Sequence, residues 1–132
     1  MPFTPTNPFV WVEIPVTDMD RAIAFYHKVF GYDFEIDNSG PNPMAQFTPE
    51  DISSGTAGHL YPGKPAAKGT GITAHMIVPE GLDIETAKAR VTEAGGSVEL
   101  DGYVVEMPFG AFFYATDPDG NSIGLFKAKG RA

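Results

Sequence analysis

The chain has 132 residues, a hydrophobic share of 42%, ten Phe, no Cys and a formal charge of −8. That length suits one domain with one core. The lack of Cys excludes disulfides, thiolate metal sites and a cysteine nucleophile, and the acidic balance, with nine unclustered basic residues, argues against nucleic acid and anionic membranes as partners.

The first eight residues carry neither the basic residues nor the apolar run of a signal peptide, and runs such as Ala111 to Ala115 are far too short to span a bilayer. A cytosolic protein is expected. From Phe9 to Val16 two residue sets alternate, Val10, Val12, Ile14 and Val16 against Phe9, Trp11, Glu13 and Pro15, which predicts a strand with two different faces. Asp18 then opens a helix to about Phe30, with Met19, Ala22, Ile23, Tyr26, Val29 and Phe30 at helical spacing and Gly31 closing it. Strands are expected at Tyr32 to Asp37, Met44 to Thr48 and Gly55 to Tyr61, with a turn-rich loop at 38–43.

A Gly, Pro and Lys-rich connector spans 62–71, and the same signals then begin again. Ile72, Ala74, Met76 and Val78 alternate with Thr73, His75 and Ile77. Asp83 opens a second helix carrying Ile84, Ala87, Val91 and Ala94, ended by Gly95 and Gly96. Strands are expected at Ser97 to Asp101 with a continuation to Val105, at Ala111 to Thr116 and at Asn121 to Lys127. Val16 recurs as Val78, Asp18 as Asp83, Gly31 as Gly95 and Gly58 as Gly124, at nearly constant separation. The sequence therefore predicts an α+β domain over 1–132, made of two tandem βαβββ modules, one at about 8–61 and the other at about 72–128. Asp117-Pro-Asp-Gly-Asn121 is a turn between the last two strands, with Pro where φ near −65° is wanted and Gly where φ must be positive.

Three segments together resemble the vicinal-oxygen-chelate superfamily, which includes glyoxalase I, bleomycin-resistance proteins and extradiol dioxygenases. They are Val12 to Tyr26 with Phe30-Gly31-Tyr32, Ala89 to Val98, and Asp117 to Gly124. The resemblance implies two curved modules forming an open barrel-like sheet around a cavity that takes a small organic molecule, commonly in a homodimer. In metal-using members the first and last strands of each module supply inward His, Gln or Glu ligands to a divalent ion. Carried onto this chain, those positions fall on Trp11, Thr73, Gly124 and, by the internal repeat, Gly58. None of these is an ordinary ligand, so no metal cofactor is expected.

A slip of two residues keeps the strand face and would bring Glu13 and His75 to the same positions, both reasonable donors to Mn, Fe or Zn. Glu13 and His75 stand at matching points of the two modules and are expected to approach each other across the cavity floor. As an acid/base pair they would move a proton; as a plain polar pair they would close the floor. Gly58 and Gly124 would leave room beside Trp11, whose ring offers a stacking surface, with Phe47 and Phe113 as further cavity-lining candidates. His59, on the strand face opposite Gly58, is expected to turn to helices or solvent, and His27 to be solvated. The loops at 38–43 and 101–110 are candidate rims. The first expectation is a binder of a small organic molecule in an aromatic cavity. The alternative is a lyase, isomerase or dioxygenase using Glu13 and His75, and a third is a structural or partner-binding domain.

Overall fold

The computed structural model describes residues 2–129. Each half forms an unbroken sequence of elements: β1 (Trp11–Val16), α1 (Met19–Phe30), β2 (Glu35–Asp37), β3 (Met44–Phe47) and β4 (Ala57–Pro62), then β5 (Ala74–Ile77), α2 (Ile84–Glu93), β6 (Ser97–Val98), β7 (Val105–Met107), β8 (Gly110–Thr116) and β9 (Ser122–Ala128). The α+β class and the βαβββ repeat are as the sequence predicts. Both helices start on an Asp whose carboxylate accepts a backbone N–H that the first helical turn would otherwise leave bare: Asp18 from Arg21 at 3.0 Å and Asp83 from Thr86 at 2.7 Å. Gly31 ends α1 at φ 79°, a left-handed conformation that a Cβ would disfavour.

The first sheet has the order β1-β4-β3-β2 and the second β5-β9-β8-β6, with β7 also paired to β8. In each, the first strand runs parallel to the last strand of its module: Glu13 stands beside His59, and His75 beside Gly124. One face of each sheet packs on the helices. Ile14, Val16, Leu60, Phe113, Ile123 and Leu125 meet Phe25, Tyr26, Val29, Phe30, Ala87 and Val91 in one buried cluster that draws on both modules. Burial of each such large side chain contributes roughly 1.5–3 kcal/mol. The opposite face of each sheet carries no helix.

The second strand of module two departs from expectation. Instead of running on from Ser97 toward Val105, the chain breaks after Val98 into a short turn where Leu100, Asp101 and Gly102 take φ of 53°, 54° and 74°. It resumes pairing with β8 only at Val105. A left-handed backbone costs a non-glycine residue roughly 1–2 kcal/mol. The alternation of Val98 with its neighbours gives no warning of it.

The modules are bolted together at the Asp117–Asn121 turn. The buried Asp117 accepts the Tyr26 hydroxyl at 2.8 Å, the Asn121 side-chain amide at 2.9 Å and the backbone N–H groups of Asp119 and Asn121. Arg21 donates to Asp119 at 2.9 Å and Asn121 to the Pro15 carbonyl at 2.8 Å. The turn thus does more than reverse the chain: it holds α1 and the end of β1 against module two. Burial and the Asp117 carboxylate push the Tyr26 hydroxyl well above its usual pKa. Tyr32 makes a second tie, donating to the Ile77 carbonyl at 2.5 Å, and burial raises it to about 12. Among the described residues no helix is long and apolar enough to cross a membrane.

Candidate functional site

Parallel pairing puts paired residues on the same face, so the register fixes what the helix-free faces present. In module one these are Trp11, Glu13, His59 and Tyr61, with Gln46 paired to His59 from β3. In module two they are His75, Ile77, Gly124 and Phe126, with Tyr114 and Phe112 paired to the last two from β8. The faces are open: Trp11 is 45% exposed and Ile77 53%.

Trp11 stands where the sequence placed it, on the helix-free face, but it does not stand alone. Its indole N–H donates to His59 Nδ1 at 2.9 Å, with the two rings tilted at 57°. An indole can only donate, so this bond fixes His59 Nδ1 as the acceptor and leaves Nε2 to carry the proton of the neutral ring. On that side lies Glu13, its Oε1 3.5 Å from Nε2. His59 is 6% exposed, so an imidazole sits under the strand surface with Trp11 on one edge and Glu13 on the other.

Several expectations are corrected by this register. Glu13 is partnered by His59, not by His75. His59 does lie opposite Gly58, but the sides are reversed from expectation: Gly58 is buried toward the helices, where an added Cβ would run into the Val12 carbonyl and lie 2.8 Å from the Phe47 ring. It lines no cavity on the helix-free face. Phe113 is likewise fully buried in the core, beside Leu125. Its neighbours Phe112 and Tyr114 take the open face instead. Phe47 is part of an aromatic contact with Phe34, 5.8 Å between centroids, on the helix side.

His75 is at the face expected of it, with its ring laid over Gly124, in the space that glycine was expected to leave empty. Phe112 and Tyr114 flank it edge-on, 4.7 and 5.5 Å between centroids. Burial lowers its pKa from the usual 6.5. Thr73 is tied to Ser122, 2.5 Å between their hydroxyl oxygens. His27 is exposed as expected, with Nδ1 2.9 Å from the Tyr32 carbonyl and 3.4 Å from Asp33. Between the free edges of β1 and β5 runs a groove of about 420 Å³, bordered by Phe9, Val12, Phe47, Thr73 and His75. Residues His59, Gln46, Phe112 and Phe126 had not been singled out for the site. Strand parity is the signal that could have found them, once one cross-strand pair is known.

The positions at which the superfamily resemblance implies metal ligands become, by this register, Trp11, His59, Thr73 and Gly124. One imidazole among the four can ligate, and its Nδ1 is already engaged by Trp11. Divalent sites use three or four protein donors, and among the described residues no group of three or more His, Cys, Asp or Glu side chains comes together. These residues do not fit the ion.

Comparison with known proteins agrees with this architecture. Residues 9–125 match the family model described as Glyoxalase/Bleomycin resistance protein/Dioxygenase superfamily. A glyoxalase/bleomycin resistance protein from Albidiferax ferrireducens superposes with a TM-score of 0.68 at 19% identity, over 93% of this chain and 100% of that one. TnmS3, described as an antibiotic binding protein from a Streptomyces species, gives 0.60 at 25% identity over 93% and 97% of the two chains. CFP32 of Mycobacterium bovis, provisionally named a glyoxylase, is 24% identical over 129 residues. The match covers 89% of this chain, which spans only 44% of the length of that relative.

Proposed function

The chain belongs to the glyoxalase/bleomycin resistance protein/dioxygenase superfamily, and from that premise we propose that it binds a flat organic molecule on its helix-free faces without a metal ion. The observation that carries this reading is the Trp11–His59 hydrogen bond, which turns two first-module positions of the expected metal site into a wall with a stacking surface. The aromatic set of Phe112, Tyr114 and Phe126 in module two supplies a second apolar surface. The 25% identity to TnmS3, an antibiotic binding protein by description, supports a binder over a catalyst. The proposal includes a homodimer and a cytosolic setting.

The test uses Trp11 as its own reporter, because it is the only Trp in the chain. Screening planar aromatic compounds by indole quenching, alongside thermal melts with Mn, Fe(II), Ni and Zn, should find a saturable ligand that raises the melting temperature and no stabilising metal. A stoichiometric metal with a raised melting temperature would overturn the reading.

One observation favours a second reading. The imidazole of His59 with the Glu13 carboxylate 3.5 Å from Nε2 is an arrangement that can relay a proton. An acid/base lyase or isomerase of this kind would use Glu13 with His59, and turnover lost in Glu13→Gln with ligand affinity retained would establish it.

A further inference from the structure

The helix-free face of module one differs in one respect from a plain hydrophobic wall: the hydrogen-bonding edge of its only indole is already used. With the Trp11 N–H directed into His59, the ring offers a ligand no donor, only its π surface. Glu13, two residues along β1 on the same face, contacts the other edge of the same imidazole and is 63% exposed at its side chain. Because the two nitrogens of one imidazole are only about 2 Å apart by covalent geometry, the indole edge and the carboxylate are held within a single small molecule's reach of each other. A π surface and a carboxylate side by side attract a positive charge twice, through the ring quadrupole and through the anion. No Lys, Arg or N-terminal group is paired with Glu13 among the described residues, its one recorded ionic contact being His59.

From this geometry we infer that Trp11 and Glu13 form a subsite for a planar organic cation, and that His59 is the positioning residue that holds it. The inference rests on the reading that this face binds a ligand, and adds to it the charge class and the residue that sets the geometry. His59 does not touch the ligand. It fixes the indole against rotation, since an exposed Trp without a partner for its N–H would sample other rotamers, and it places Glu13. The groups that face His59 are Trp11 and Glu13 from β1, Gln46 from β3 and, on its own strand, Tyr61 with ring centroids 5.8 Å apart. Of these Glu13 is the one carboxylate. Glu35, paired with Gln46 on β2, adds a second negative charge further along the same face.

The experiment compares proflavine, a planar cation, with anthraquinone-2-sulfonate, a planar anion, by quenching of Trp11 in the intact protein. Proflavine should bind roughly tenfold more tightly, and Glu13→Gln should remove that preference by weakening proflavine binding. Trp11 itself is followed without ligand by time-resolved anisotropy and acrylamide quenching. His59→Phe should introduce fast local motion and raise quenching. His59→Asn, whose carbonyl takes the place of Nδ1 as acceptor, should restore the wild-type behaviour. Equal affinity for the two probes, or a Trp11 equally immobile in His59→Phe and wild type, would overturn the inference while leaving a ligand-binding face in place. If no planar probe of either charge binds, the binding reading fails and takes the subsite with it.

Discussion

The two modules share a topology and a register, yet their open faces have diverged in opposite directions. In module one the strand pair β1–β4 presents Glu13 beside His59; in module two the matching pair β5–β9 presents His75 beside Gly124. The histidine has changed strands. In the first module it comes from the last strand and is locked from both edges by Trp11 and Glu13. In the second it comes from the first strand, spreads over a glycine and is bordered only by the aromatic rings of Phe112 and Tyr114. A duplicated frame therefore does not conserve its site. The core face must keep packing, whereas the open face answers only to what it binds.

The largest test of this contrast is to separate the modules. Asp117→Ala leaves the Tyr26 hydroxyl and the Asn121 amide without their buried acceptor, and should destabilise the protein by about 3 kcal/mol in urea unfolding. A loss below about 1 kcal/mol would show that the turn does not bind the two halves together.

The glycines give the next test, because Gly58 and Gly124 look equivalent in sequence but face opposite sides. Gly58→Ala drives a Cβ into the Val12 backbone and the Phe47 ring and should cost about 2 kcal/mol. Gly124→Ala meets first the imidazole of His75, which can swing outward, and should cost less than about 1 kcal/mol. The same substitution should alter ligand affinity on the module-two face. Equal stability losses would contradict the assigned faces.

Alkaline pH probes the ties from module one to module two. Tyr26 and Tyr32 both have raised folded-state pKa values, Tyr32 to about 12. Above pH 10 the unfolded chain loses these protons first, so the stability they contribute is present below pH 10 and lost as pH rises toward 12. Phenolate absorbance should show these two hydroxyls titrating only as the protein unfolds, and Tyr32→Phe should blunt the loss. The smallest effect belongs to His75. Its lowered pKa means that the unfolded state takes up the proton first as pH falls below 6.5, so stability declines there, and His75→Gln should remove that increment of the acid-side slope in urea midpoints.

The frame was legible in the residues: alternation in β1 and β5, Asp18 and Asp83 as helix caps, Gly31 as a helix stop, and the spacing that repeats them. These are local signals, set by steric and hydrogen-bonding preferences within a few residues of each position. The site was legible only in part. Trp11, Glu13, Thr73, His75 and Gly124 were expected to share a face and are found together on the helix-free one, because β1, β5 and the last strand alternate cleanly. Gly58 and Phe113 were not, because Gly58-His59 and Phe112-Phe113-Tyr114 offer a plausible residue in either phase, and in a strand a shift of one reverses every side chain.

Sequence alone determined the class, the duplication and the lack of an ordinary ligand at Trp11, Thr73 and Gly124, since each follows from residue type and near-neighbour order. Tertiary structure decided which imidazole meets which carboxylate. That depends on the cross-strand register of β1 with β4 and of β5 with β9, contacts between residues some 48 positions apart, which no local preference encodes and only the packing of both sheets on their shared helices can fix.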